Sequence, residues 1–325
     1  MKILLIKTEG SIPLETKGKH LEQILSLDRK IEAVAVSSQD TKEIQKQLLD
    51  AEIIAGNQEN IPPVTNAKNL KWIQAFSAGI NNLLALNPEL ITSNILVSNV
   101  AGLQDVSIAE HVLGFMLIFT RKFYDTFQKQ QKKIWECNQH ITELRGKTVL
   151  VVGLGHIGTE VARLTSCIGA KVIAIKQSLS NKPKFVDKLY RIRDLGKVLP
   201  KADFVVLCLP LTAETKHLFD MKKFRMMKKT GVIINIGRGS VIHEKELIKA
   251  LKRKIIGGAA LDVTEEEPLE RKSPLWEIEN VVITPHHSGP TENFMDRAID
   301  IFCSNLKAYL ANKPLPNLVD KKRGY

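Results

Sequence analysis

Apolar positions along this chain fall into short β-branched runs set between longer stretches with helical spacing. Runs at 2–6, 31–36, 52–55, 72–75 and 95–97 read as strands, and 21–27 and 42–49 between them read as helices. That alternation predicts a small parallel α/β sheet within residues 1–100. A second series of strand-like runs covers 149–152, 171–175, 203–210, 231–236, 256–263 and 280–285. Between the two series, from Ser107 on, Ile108, Ala109, Val112, Leu113, Met116 and Leu117 recur at helical spacing. Phe115 and Phe119 widen that apolar surface until it covers most of the helix. Such a helix is buried, either in a core or against another subunit. A helical tail over 298–310 closes the pattern.

The second series opens on the most informative stretch. Val149-Leu-Val-Val152 runs directly into Gly153-Leu-Gly-His-Ile-Gly158, a helical pattern follows, and Gly169 stops it before the strand at 171–175. This is a βαβ unit of about thirty residues carrying Gly-x-Gly-x-x-Gly, the context a dinucleotide fingerprint needs. Gly153 permits the tight turn, Gly155 lets a pyrophosphate approach the backbone, and Gly158 lets the helix pack close to the strand. The free N–H groups of the helix start, among them those near His156 and Ile157, then face the phosphates. The competing reading is a crossover whose glycines serve packing alone.

Composition narrows the class. The 325 residues suggest two domains. The longest apolar run, 112–119, is far short of the ~20 residues that span a bilayer, so no membrane partner is expected. The N-terminal 1–7 lacks the long apolar region and cleavage site of a signal peptide and reads as a first strand. Four scattered cysteines form no CxxC, which implies no zinc site and no disulfide framework, and makes a reducing cytoplasm the default. The net charge of +12 is spread along the chain without aromatic-interleaved basic motifs. That disfavours nucleic acid and suits anionic cofactors and substrates.

Three polar residues each follow an apolar strand. Arg238 sits between two glycines after the run at 231–236, Glu267 precedes Pro268 after 256–263, and His286 ends 280–285. Singly, each has a plain explanation: a surface ion pair, a solvated loop acid, a capped core histidine. Together, at successive strand ends beyond a dinucleotide loop, they can converge beside a cofactor. Arg238 offers a two-donor fork to a carboxylate and its adjacent carbonyl. His286 can exchange the hydroxyl proton as hydride moves, with Glu267 favouring its protonated form. Phe76-Ser-Ala-Gly-Ile80 also follows a strand; its amides could hold a carboxylate, or it is an ordinary turn.

At these residues the chain resembles the D-isomer-specific 2-hydroxyacid dehydrogenases, and more particularly their glyoxylate/hydroxypyruvate reductase-like members. The matching stretches are Phe76–Ile80, Asn99-Val-Ala-Gly102, Ala109-Glu110-His111, Gly153–Gly158, Asn235-Ile-Gly-Arg-Gly239, Asp262–Leu269 and Thr284-Pro-His286. The resemblance implies an α/β fold of two Rossmann-like domains, parallel sheets flanked by helices with an active-site cleft between them. Residues 1–100 plus 290–325 would form a flavodoxin-like substrate-binding domain, and 101–289 the dinucleotide-binding domain. It implies Arg238, Glu267 and His286 as catalytic residues. Glu267 is chosen over its neighbours because the family's glutamate directly precedes the proline. Ala78 and Gly79 would hold the substrate carboxylate together with Arg238. Pro210, Thr215, Ile236 and Asp262 match cofactor contacts, and the helix after Ala109-Glu110-His111 would form a homodimer. His287 stands where the family often carries an apolar or small residue.

One departure bears on the cofactor. NAD-binding members keep an acid roughly twenty residues past the glycines to hold the ribose 2′-hydroxyl. Here Lys176 stands there, followed by Gln177 and Ser178. The expectation is NADP(H) preferred over NAD(H), unless Lys176 is only a solvated strand end. The reaction expected is 2-oxoacid reduction, of glyoxylate or hydroxypyruvate type. The alternative function is that of an NAD(H)-sensing corepressor of the same fold, which binds protein partners rather than turning over.

Overall fold

The chain divides into two compact units, one built from Met1–Gln104 with Pro290–Tyr325 and the other from Asp105–Gly289. The computed structural model describes residues 1–8 and 15–322. The last residues of the predicted first-domain tail, 323–325, lie outside the described residues.

The first unit holds β1 (Lys2–Lys7), α1 (Gly18–Leu25), β2 (Glu32–Ser37), α2 (Thr41–Leu48), β3 (Ile53–Gly56), β4 (Trp72–Ala75), α3 (Asn81–Leu86) and β5 (Leu96–Ser98). Its strands are all parallel, in the order β2-β1-β3-β4-β5. That is the flavodoxin-like doubly wound order, which puts helices on both faces. Every position of β3 and β4 is buried, which explains why their sequences read as continuous apolar runs rather than alternating ones. The predicted strands are present, displaced by at most one residue at either end.

The second unit begins with α4 (Asp105–Arg121) and α5 (Phe123–Gln131). It continues through β6 (Thr148–Val152), α6 (His156–Cys167), β7 (Lys171–Ile175), β8 (Lys188–Tyr190), α7 (Leu195–Val198), β9 (Phe204–Leu207) and α8 (Met221–Phe224). It ends with β10 (Val232–Asn235), α9 (Glu244–Lys252), β11 (Gly258–Leu261) and β12 (Val281–Ile283). Seven parallel strands lie in the order β12-β11-β10-β9-β6-β7-β8. The order reverses between β6 and β9, and ligands of such sheets bind at that switch point, at the carboxyl ends of the strands.

The predicted runs at 203–210, 231–236, 256–263 and 280–285 contain β9 to β12, but each regular strand is shorter. The flanking residues leave the ladder to form the loops that carry the polar groups. The buried residues of α4, among them Ile108, Val112 and Met116, join the core formed with Val149 and Val151 of β6. Part of its breadth of apolar surface is therefore used inside its own unit. Phe119 lies against β11 so closely that a Cβ at Gly258 would sit 2.5 Å from its ring.

The chain then returns to the first unit with α10 (Phe294–Leu310). Buried polar side chains tie this helix to the sheet. Asn305 Nδ2 and Ser98 Oγ both donate to Gln74 Oε1, at 2.9 and 2.7 Å, and Trp72 Nε1 donates to Ser98 Oγ at 2.8 Å. Among the described residues no helix is long and apolar enough to cross a membrane.

Candidate active site

The glycine loop has the shape its sequence calls for. Gly153 has φ +102°, a conformation L side chains rarely adopt. A Cβ at Gly158 would stand 1.9 Å from the Gly153 carbonyl oxygen, so α6 can approach β6 only with glycine there. A Cβ at Gly155 would meet nothing within 4 Å, which leaves open space beside the backbone. Gly155 is also the N-cap of α6 and no side chain caps it. The first N–H groups of α6 are thus available to an anion, as a pyrophosphate requires. His156, the first helical residue, is exposed, with Nδ1 3.8 Å from Asp105. Ile157 is partly buried against the core.

On the other half of the sheet, Arg238, Glu267 and His286 follow β10, β11 and β12, three consecutive neighbours. Glycine again makes room: a Cβ at Gly239 would stand 1.7 Å from the Thr264 carbonyl, so the loop after β10 lies directly on the loop after β11. His286 Nδ1 and Glu267 Oε2 are 2.7 Å apart, and Thr264 N donates to Glu267 Oε1 at 3.2 Å. A carboxylate can only accept, so Nδ1 carries the proton and Nε2 is the ring nitrogen left to exchange one.

The electrostatics agree with that assignment. The bond to Glu267 raises the His286 pKa above its ordinary value, against the opposing effect of burial. Burial alone would raise the Glu267 carboxyl, but the bond to His286, with the charges of His286 and Arg238, holds it below its ordinary value. Burial lowers the Arg238 guanidinium, with Glu267 opposing. Arg238 itself donates from one terminal nitrogen to the Gly237 carbonyl at 2.7 Å. The side chains of His286 and Glu267 are 53% and 37% exposed, so both are reachable.

The two glutamates beside Glu267 have other duties. Glu265 Oε1 lies 2.6 Å from His217 Nε2, and its Oε2 accepts from the Glu244 amide at 3.2 Å. Glu266 offers its carbonyl to the Thr264 hydroxyl. Glu267 is the one of the three that reaches His286.

Asp262 is 2% exposed and its carboxylate has four donors. Oδ1 accepts from the Thr284 hydroxyl at 2.5 Å and the His287 amide at 3.1 Å; Oδ2 accepts from the Ser288 hydroxyl at 2.5 Å and amide at 3.2 Å. Its carbonyl accepts from His286 N at 2.8 Å. Asp262 thereby fixes the loop that carries His286. Sequence reading missed Thr284, Ser288 and His217 as partners in this region, because a hydroxyl or imidazole in a loop carries no periodic signal.

Pro210 and Thr215 hold one loop together: Thr215 Oγ1 donates to the Pro210 carbonyl at 2.7 Å and accepts from Thr212 N at 2.7 Å. Ile236 is buried at the end of β10. Lys176 leaves β7 with its amide bonded to the Tyr190 carbonyl, and among the described residues its ammonium has no carboxylate partner. Gln177 and Ser178 are exposed, and Ser178 Oγ lies 2.6 Å from Ser180 Oγ. Ala78 and Gly79 belong to the first unit, after β4. Asn99 Nδ2 donates to the Ala78 carbonyl and Ser77 Oγ to the Gly79 carbonyl, each at 2.8 Å. Their own amides are bonded to no group among the described residues.

Comparison with known proteins places this geometry. The profile of the D-isomer specific 2-hydroxyacid dehydrogenase NAD-binding domain matches residues 113–288. A glyoxylate reductase of Thermofilum pendens is 35% identical over 261 residues, covering 79% of this chain and 76% of that protein. A D-3-phosphoglycerate dehydrogenase of Methanocaldococcus jannaschii is 30% identical over 94% of this chain, which spans 59% of that longer protein. The crystal structure of a D-isomer specific 2-hydroxyacid dehydrogenase family protein from Aeromonas salmonicida superposes with a TM-score of 0.85 at 28% identity, covering 98% of this chain and 99% of that one.

Proposed function

The chain belongs to the D-isomer-specific 2-hydroxyacid dehydrogenase family and is a nicotinamide-dependent oxidoreductase; from that premise we propose that it reduces small 2-oxoacids of the glyoxylate and hydroxypyruvate class, with Arg238, Glu267 and His286 as catalytic residues. The observation that carries the reading is the 2.7 Å bond between His286 Nδ1 and Glu267, on the two strand ends that come next to that of Arg238 in order across the sheet. Arg238 binds the substrate carboxylate and the adjacent carbonyl oxygen through its planar fork. His286, protonated and oriented by Glu267, gives its Nε2 proton to the oxygen that becomes the hydroxyl. The nicotinamide, when bound, supplies the hydride. The amides of Ala78 and Gly79 hold the substrate carboxylate as further donors.

The glycine loop fits the pyrophosphate, since open space lies at Gly155 and the first turn of α6 is uncapped. Pro210, Thr215, Ile236 and Asp262 line the remainder of the cofactor site. Lys176 supports a preference for NADPH, since among the described residues its ammonium meets no carboxylate and can turn to a 2′-phosphate. A homodimer through the helix after Ala109-Glu110-His111 is supported by exposed apolar side chains in the segment that follows it, at Phe123, Phe127 and Trp135.

The test is a panel of 2-oxoacids with NADPH and with NADH, followed by loss of reduced-cofactor absorbance. Turnover with a small 2-oxoacid supports the reading. Tight cofactor binding without turnover of any of them would remove it in favour of a cofactor-sensing protein. Light scattering on the purified chain measures the oligomeric state.

A further inference from the structure

His111 and His287 have no part in the chemistry above, yet they meet in the second unit beside Asp262. His111 lies on α4 and His287 in the loop after β12. Their rings stand edge to face with centroids 5.5 Å apart. His111 Nε2 is 3.9 Å from Asp262 Oδ1, and one ligand atom from each of the three residues lies within 4.8 Å of the other two. We propose that His111, Asp262 and His287 form a binding site for one divalent cation of the zinc class.

The donor set is the first reason. Two imidazoles and a carboxylate suit zinc and its neighbours rather than magnesium or calcium, which prefer all-oxygen sites. Three protein ligands leave a fourth tetrahedral position to water. The second reason is that the carboxylate is already oriented. Ser288 holds Oδ2 by amide and hydroxyl, and Thr284 and the His287 amide hold Oδ1. Ligating carboxylates are themselves hydrogen-bonded in this manner. Two local exchanges are needed, because all four lone pairs of the Asp262 carboxylate are already taken: one donor, the Thr284 hydroxyl on Oδ1, must turn away to open a position for the ion. His111 Nε2 lies 3.1 Å from the Thr284 hydroxyl, and that hydroxyl gives its proton to Asp262. His111 therefore donates to Thr284 and must surrender this neutral bond, and its Nε2 proton, to take the ion. Because Asp262 also anchors His286 through its carbonyl, a bound ion places positive charge on the loop that presents His286.

The experiment titrates Zn²⁺ into the metal-free full chain against a chromogenic chelator. It uses the wild type, His287→Ala, His111→Ala, His286→Ala and a Cys137→Ser/Cys167→Ser variant, since both of those cysteines are exposed. His287 is exposed, so its replacement leaves the core intact. The expected result is one Zn²⁺ per wild-type chain, bound at least about tenfold more weakly by His287→Ala and His111→Ala, since even an outer-shell change costs that much. Binding should persist in His286→Ala and in the cysteine variant. Co²⁺ absorption gives an independent readout of the same ligands. Undiminished affinity in His287→Ala overturns the proposal. So does loss of the ion only in the cysteine variant, or in His286→Ala with His287→Ala unaffected.

Discussion

The two halves of the seven-stranded sheet present different surfaces at their carboxyl edge. Beyond β10, β11 and β12 the polar groups are bonded to one another: His286 to Glu267, Glu267 to the Thr264 amide, and Asp262 to four donors around His286. Beyond β6, β7 and β8 the groups stand open: an uncapped helix start, a glycine facing empty space, and Lys176 without a carboxylate partner among the described residues. The first half has its geometry fixed before any ligand arrives, as proton transfer requires. The second half offers unpaired donors that a dinucleotide would satisfy. Substitutions of the proton-transfer groups should therefore act on rate, and substitutions at the glycine loop or Lys176 on cofactor binding or choice.

The largest effect is expected from His286→Ala. Removing a positioned acid lowers kcat by roughly 10²–10⁴-fold. Cofactor affinity, measured by fluorescence of bound NADPH, should change little, because the proposed phosphate site lies on the other half of the sheet. A variant that keeps its turnover would remove His286 from the reaction. A variant that loses cofactor binding in equal measure would dissolve the contrast between the halves.

Gly158→Ala tests the second half by the same logic. Its Cβ would stand 1.9 Å from a backbone oxygen, which no side-chain movement relieves. Overpacking of this kind costs about 1–3 kcal/mol. The melting temperature should fall, and cofactor affinity should fall with it as α6 is pushed off β6. A fully stable variant with unchanged affinity would show that this close approach is dispensable.

Lys176→Asp is expected to alter choice rather than rate. A hydrogen bond to a charged group contributes about 1.5–3 kcal/mol, or roughly ten- to hundredfold, and exposure favours the lower figure. The ratio of kcat/KM for NADPH to that for NADH should favour NADPH in the wild type and lose most of that preference in the variant. Better use of NADH by the wild type would leave Lys176 as a solvated strand end.

How far the sequence disclosed these two halves depends on how local each feature is. The glycine loop and the strands before it were legible because turn, strand and helix signals lie within one βαβ unit. Arg238, Glu267 and His286 were read as strand-end residues that could converge, with their roles implied by the family resemblance; which of them meet depends on the strand order, which periodicity does not encode. β8 escaped notice because three residues at a sheet edge, none fully buried, make no apolar run. α5 escaped because it buries no residue. The pairing of Glu265 with His217 joins residues far apart in the chain, so the acid next to Glu267 could not be assigned from local sequence.

The smallest effect, and the finest test of the organised half, is the pH dependence of Glu267→Gln. In the proposed reaction, reduction consumes a proton from His286, so the rate should be steady while the imidazole is protonated and fall as pH rises through its pKa. In the wild type that pKa is raised, first by the bond from Glu267 and further by its charge, while burial opposes. The alkaline limb of kcat/KM should therefore lie above the ordinary imidazole range. Glutamine keeps the size of the side chain and can still accept from Nδ1 through its amide oxygen, but it carries no charge. Burial and the nearby Arg238 charge both lower the imidazole and would then be opposed by Asp262 and a neutral bond, without the Glu267 charge. The limb should move to lower pH, and activity on its acid side should be largely retained, because Nδ1 is still oriented. Loss of rate at every pH with no displacement of the limb would mean that Glu267 sets orientation alone. A limb that stays in place with full rate would remove Glu267 from the site, and the proton affinity of His286 would then have to come from Asp262.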